Sequence, residues 1–139
     1  GAALAAARAI GDACGTRVAA RLGGADRVRG ASVEDVLAEL AGELAVCGVG
    51  SIEIERWGRA LVIAVDYPAF DDTFVAALVE GAVGAATEKT VAARALGRDA
   101  GRVRILVTGR AAAERADKLL AGGAAWGDVL ARLQVRGDA

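Results

Sequence analysis

The side chains in this sequence that could do chemistry are few, and their spacing gives most of them a structural role. Glu53 with Glu55 and Asp71 with Asp72 are the closest acid pairs, the arrangement that general acid–base catalysis would draw on. Glu53 and Glu55 alternate with isoleucines and share one face of a predicted strand, the sheet face that also carries Arg94, Arg102 and Arg104. Cross-strand charge pairing accounts for them. Asp71 and Asp72 follow Pro68 at the start of a predicted helix, where they act as caps. There is no histidine, which removes the usual proton shuttle near neutral pH, the commonest metal ligand and the imidazole of every Ser-His or Cys-His pair. Cys14 and Cys47 are too few for a zinc site without histidine. Both fall on apolar helical segments and read as buried thiols, with a disulfide or a modified thiol as the other options. Gly48-Val49-Gly50 precedes a strand, whereas a phosphate loop precedes a helix, and no Gly-Lys-Ser/Thr follows it. The expectation is no catalytic residue, no metal and no cofactor.

The composition fits that reading. The chain has 139 residues, 55% hydrophobic and 25% charged, with 17 basic against 18 acidic side chains and a net charge of −1. This describes one globular domain, residues 1–139, large enough to bury a core without a disulfide or metal staple. The balanced charge offers no field for nucleic acid or anionic lipid. Arg17, Arg21, Arg27 and Arg29 are the densest basic run, but Asp12 and Asp26 dilute it and no aromatic residues interleave for base stacking, so it reads as a solvated face. No apolar run reaches the length of about 20 residues that spans a bilayer. The start, GAALAAARAI, lacks an initiator methionine and does not read as a signal peptide, which makes a cytoplasmic location the expectation.

The elements that must position these residues follow from hydrophobic period. Residues 2–22, with Leu4, Ile10, Val18 and Leu22 among charges, predict an Ala-rich helix that Gly11 and Gly15 make breakable. Residues 23–30 read as a connector. Ser32 caps a second helix, whose apolar positions Val33, Val36, Leu37, Leu40, Leu44 and Cys47 end at Gly48. Ile52 and Ile54 alternate, Trp57-Gly58-Arg59 turns the chain, and the apolar run 60–65 makes a central strand. Residues 74–86 form a helix apolar over most of its circumference, on which Ala77, Gly81 and Ala85 make a small-residue ridge that lets another backbone come close. Segments 90–96 and 102–108 form a second hairpin around 97–101, and helices over 110–121 and from Trp126 through Leu133 close the chain. The expected fold is α+β: a four-stranded, mainly antiparallel sheet of two hairpins with helices packed on one face, in the order ααββαββαα.

This succession resembles the 4-vinyl reductase domain family, which is grouped with the small subunits of the TRAPP vesicle-tethering complex and more distantly with haem nitric-oxide-binding domains. The residues that carry the resemblance are Leu37 to Gly50 leading into Ile52, Ile54 and Ala60 to Val65, then Phe74 to Ala86 with Gly81 inside the helix. It covers residues 30–108 and leaves 110–139 as a C-terminal helical extension. Bacterial members often carry cysteines in the second hairpin, and Val91 to Thr108 has none; the axial histidine of the haem-binding relatives has no counterpart either. Cys14 and Cys47 are the only candidates for the acyl attachment seen in some TRAPP relatives, and neither sits in a matching motif. The resemblance implies a bacterial, non-enzymatic domain that binds a hydrophobic small molecule or serves a regulatory role, usually as a homodimer. The alternative it allows is an adaptor module for protein assembly, linked to a small GTPase or held within a larger complex.

The ligand-binding lining expected from the two apolar helices is Leu37, Leu40, Leu44, Phe74, Leu78 and Val79, a set that would serve equally as an ordinary core. Trp57, at a hairpin tip, and Trp126, opening the last helix, are the interface candidates, each with packing inside the domain as its plainer role. An enzyme ranks third, because carboxylate, arginine, tyrosine and cysteine do not cluster.

Overall fold

The computed structural model describes residues 1–46, 48–57 and 60–137. Cys47 and the Gly58-Arg59 turn lie outside the described residues. The elements are α1 (Ala2–Arg21), α2 (Ala25–Gly30), α3 (Val33–Val46), β1 (Ser51–Trp57), β2 (Ala60–Asp66), α4 (Asp72–Thr87), β3 (Ala92–Asp99), β4 (Arg102–Thr108), α5 (Arg110–Ala121) and α6 (Trp126–Gly137). The strands form one sheet in the order β1-β2-β4-β3, every neighbour antiparallel. This is the α+β, two-hairpin architecture that the alternation and caps predict. The caps work as their residue types require. The Ser32 hydroxyl accepts from the Asp35 N–H at 3.1 Å. Asp71 Oδ1 accepts from the Phe74 N–H at 2.9 Å, while Asp72 leaves the cap and pairs with Arg98 at 2.7 Å.

Two local expectations are corrected. The connector at 23–30 contains the short helix α2, because Val28 on it is buried in the main core and a helical turn is the compact way to bring that side chain inward. In the second hairpin β3 runs on to Asp99, and the turn tightens to Ala100-Gly101. Between Ala95 and Gly97 the register slips against β4, leaving Leu96 as the extra residue of a bulge; Gly97 sits at φ +147°, which only glycine adopts cheaply.

The layering is also richer than one covered face. Ile63 and Val65 on β2, Val103, Ile105 and Val107 on β4, and Ala93 on β3 join the buried side chains of α1, α3 and α4 in one core. The alternate positions Val62, Leu106 and Leu96 meet Ala116 of α5 and Val129, Leu130 and Leu133 of α6 in a second, smaller core. The expectation of helices on one face therefore holds for the first four helices, and the C-terminal pair covers part of the opposite face. Period-two alternation cannot separate these cases where both faces of a central strand are apolar.

The most extensive helix contact is between α1 and α4. The small-residue ridge on α4 receives α1 here, and Gly11 and Gly15 on α1 are buried against it. A methyl group at Gly11 would overlap the Leu78 carbonyl oxygen, one at Gly15 that of Ala82, and one at Gly81 that of Arg8. Backbones this close favour Cα–H to carbonyl contacts. The glycines that make α1 breakable by propensity are thus its packing surface, and the helix runs unbroken.

Candidate functional site

An apolar pocket of about 340 Å³ opens between α2, α3, the start of β2 and the end of α4. Its walls are Val28 and Ala31 from α2 and its C-cap, Val36 and Leu37 from the first turns of α3, Leu61 from β2 and Val83 from α4. Among the described residues the polar lining comes from Thr87, the last residue of α4, and Lys89, two positions beyond it. Glu88 ends that helix in the left-handed conformation at φ +54° and turns the chain so that Lys89 reaches the pocket rim. The Thr87 hydroxyl donates to the Val83 carbonyl at 2.7 Å. Lys89 is exposed and makes no ion pair among the described residues. Further hollows run along α1, α4 and β3, but each is bordered by Arg8 and Glu80, whose charges are spent on each other at 3.2 Å.

The six residues expected to line a ligand site divide unequally. Leu40, Leu44, Leu78 and Val79 are at most 1% exposed and lie inside the main core, filling space rather than leaving it. Phe74 is half-buried and stacks on Phe70, with ring centroids 4.6 Å apart. Only Leu37 borders the pocket. The other lining residues come from the ends of four elements distant in sequence, and no local period marks such a convergence.

On the same sheet face as α5 and α6, beyond the part those helices cover, the acids and arginines singled out in the sequence form one network. Arg102 grips Asp66 with two bonds of 2.8 and 2.9 Å and also reaches Glu53 at 2.5 Å and Glu55 at 3.3 Å. Arg104 binds Glu55 at 3.0 Å. Arg94 departs from the expectation and pairs with Asp117 of α5 at 2.9 Å. The long arginines reach from β4 to β1 because Ala64, between Glu53 and Arg104 in the register, leaves room above β2. The Arg102 guanidinium beside Asp66 holds its carboxyl below the ordinary value, and Asp66 together with Glu53 pushes Arg102 up. An Asp66 fixed as the anion by its partner is an ion pair and has no proton to give near neutral pH.

The two tryptophans meet each other. Trp57 and Trp126 pack edge to face with centroids 5.3 Å apart, and the Arg104 guanidinium lies 3.9 Å over the Trp126 ring. The Trp57 indole N–H donates to Glu55 at 3.3 Å, and the Gln134 amide donates to the Trp57 carbonyl. Trp57, at 39% exposure, thus clasps the C-terminal helix onto the sheet, and Trp126 is half-buried in the second core. Cys14 is a buried thiol on α1 whose sulfur accepts from Arg17 at 3.4 Å. Arg17 and Arg21, the first half of the basic run, pair with Glu43 at 2.7 and 3.1 Å.

Among the described residues no group of three metal-ligating side chains forms, and no helix is long and apolar enough to cross a membrane. No family model, curated protein or solved structure matches the chain.

Proposed function

We propose that this domain binds a small hydrophobic molecule in the pocket between α2, α3, β2 and α4, and performs no chemistry on it. The observation that carries the reading is the pocket itself: six apolar side chains from four elements surround about 340 Å³, within the range of small-molecule sites. The resemblance to the 4-vinyl reductase group favours the same class of ligand. Catalysis finds no support at the pocket, because among the described residues Thr87 and Lys89 are the only polar ones in its lining and the acids singled out in the sequence lie elsewhere, bound to arginines or capping α4. The test is a titration with Nile red, a neutral apolar dye, followed by its emission. The wild-type protein should bind and shift the dye to the blue, and Ala31→Leu, which fills the pocket from a half-buried cap position, should abolish the shift while leaving the thermal midpoint within a few degrees. Equal binding by the two proteins would place the dye elsewhere and sink the reading.

A second reading, a module for protein association including self-association as a dimer, has its own observation. Val46, at the end of α3, and Tyr67 are 83% and 80% exposed and Phe70, on the loop after β2, is 40% exposed; that loop is tied to the one following α3 by the Ala69 N–H to the Val49 carbonyl at 3.2 Å. Apolar side chains held out together at one end suit a partner surface. Sedimentation of the wild type against Tyr67→Ser/Phe70→Ser tests it: a wild-type dimer that the double variant makes monomeric supports this reading, and a monomeric wild type removes self-association from it.

A further inference from the structure

We infer that the ligand of the apolar pocket is an amphiphile with a compact apolar body and an anionic head, the head resting on Lys89. The inference rests on the pocket reading above and adds the chemistry of the ligand's polar end. It follows from an inventory of donors. The walls contributed by Leu37, Leu61 and Val83 carry no polar side-chain atom. Of the two polar residues in the lining, Thr87 has already committed its hydroxyl hydrogen to the Val83 carbonyl, so only its oxygen lone pairs can face a ligand. Lys89 brings three N–H donors and a full positive charge, and it has no carboxylate partner among the described residues. The other charged residues of this chain that form ion pairs contrast with it: Arg17, Arg94, Arg98, Arg102 and Arg104 each hold an acid. A neutral alcohol can accept from Lys89 through its oxygen but brings no charge, so it gains less than an anion. An amine would repel Lys89. A carboxylate gains a charge-assisted bond while its tail displaces water from Leu37, Leu61 and Val83.

The volume limits the body. About 340 Å³ lies at the lower end of the range of small-molecule sites, which suits a short or ring-shaped apolar acid and excludes full burial of a long acyl chain. The carboxylate stays at the rim because Lys89 is solvent-exposed, so the charge pair contributes as a partly screened contact and the apolar walls supply the rest of the affinity.

The experiment is calorimetric titration of the whole protein with octanoate and with 1-octanol, which share a tail and differ in the head, on the wild type and on Lys89→Met. The wild type should bind octanoate about three- to tenfold more tightly than octanol. Lys89→Met should bring the two ligands to within about 1.5-fold of each other by weakening octanoate alone. Lys89→Arg should keep the preference, and added salt should reduce it in the wild type. Equal affinity for the two ligands in the wild type, or a preference that survives Lys89→Met, overturns the anionic head and leaves the apolar pocket standing. Failure of both ligands to bind the wild type overturns the pocket reading and this inference with it. Because Lys89 is exposed and lies outside both cores, its replacement does not put folding in question.

Discussion

Gly81 of α4 lies so close to Arg8 of α1 that the Arg8 carbonyl oxygen occupies the space a β-carbon at position 81 would need. The neighbouring contacts of Gly11 with Leu78 and of Gly15 with Ala82 repeat the arrangement from the other helix, so the two backbones set the distance and the side chains follow.

Replacing Gly81 with alanine should therefore force α1 and α4 apart and cost about 1–3 kcal/mol, despite the better helix propensity of alanine. Gly42→Ala makes the contrasting control. Nothing lies near a β-carbon at position 42 in α3, so that substitution should stabilise by about 0.5–1 kcal/mol. Urea midpoints of the two variants moving in the same direction would contradict the close-approach argument.

Trp57 and Trp126 should be energetically coupled. A double-mutant cycle with Trp57→Leu and Trp126→Leu should give an interaction energy of about 0.5–1.5 kcal/mol for the edge-to-face pair. The single variants should also loosen α6, seen as faster amide exchange over Val129 to Leu133. A cycle that closes to zero would mean that the clasp does not hold in solution.

Acid should destabilise the fold through named carboxylates. Asp66 is held below its ordinary value by Arg102, Glu43 by Arg17 and Arg21, and Asp71 by the Phe74 N–H and the Thr73 hydroxyl. A carboxylate whose folded pKa is depressed contributes stability that is fully present above its unfolded value and is lost as pH falls through the folded one. With no histidine in the chain, stability should stay nearly level between about pH 5 and 8 and fall below about pH 4. Asp66→Asn should flatten part of that acid limb, as measured by urea midpoints across the range; an unchanged limb would remove Asp66 from the account.

Asp71→Ala should cost about 1 kcal/mol through the lost cap on α4, and Asp71→Ser should recover most of it, because a serine oxygen also accepts from the Phe74 N–H. Thermal midpoints decide between this and a merely solvated aspartate, for which the two variants would behave alike.

What was legible in the sequence follows the range of the physical signal. Ser32 and Asp71 announce their helices through bonds that span three residues, and Ile52, Ile54, Val103, Ile105 and Val107 announce their strands by alternation. The charge network on the sheet was readable for Glu53, Glu55, Arg102 and Arg104, since face and sign suffice to predict such pairing. Arg94 was not, because its partner Asp117 sits on a helix whose docking face has no local signature. The same limit explains the candidate site. Bulk and period mark Leu40, Leu44 and Leu78, the residues that fill the core, whereas Ala31, Leu61 and Lys89 meet only because four elements end at one place. Helix α2 has no sequence signature, because its six residues, preceded by Gly23 and Gly24 and ending at Gly30, carry too little pattern to outweigh the turn chemistry around them.

The sheet that divides the two cores also divides the consequences of mutation. Val62 and Ile63 are adjacent letters of the chain, yet they belong to separate neighbourhoods: Val62 shares its surroundings with Leu130, some seventy positions later, and Ile63 with Leu78 and Val103. Changes at 62 should be read, and compensated, through the C-terminal helices, while changes at 63 answer to α4 and β4. Two histories of substitution can thus run side by side along a single strand, each constrained by its own set of distant partners.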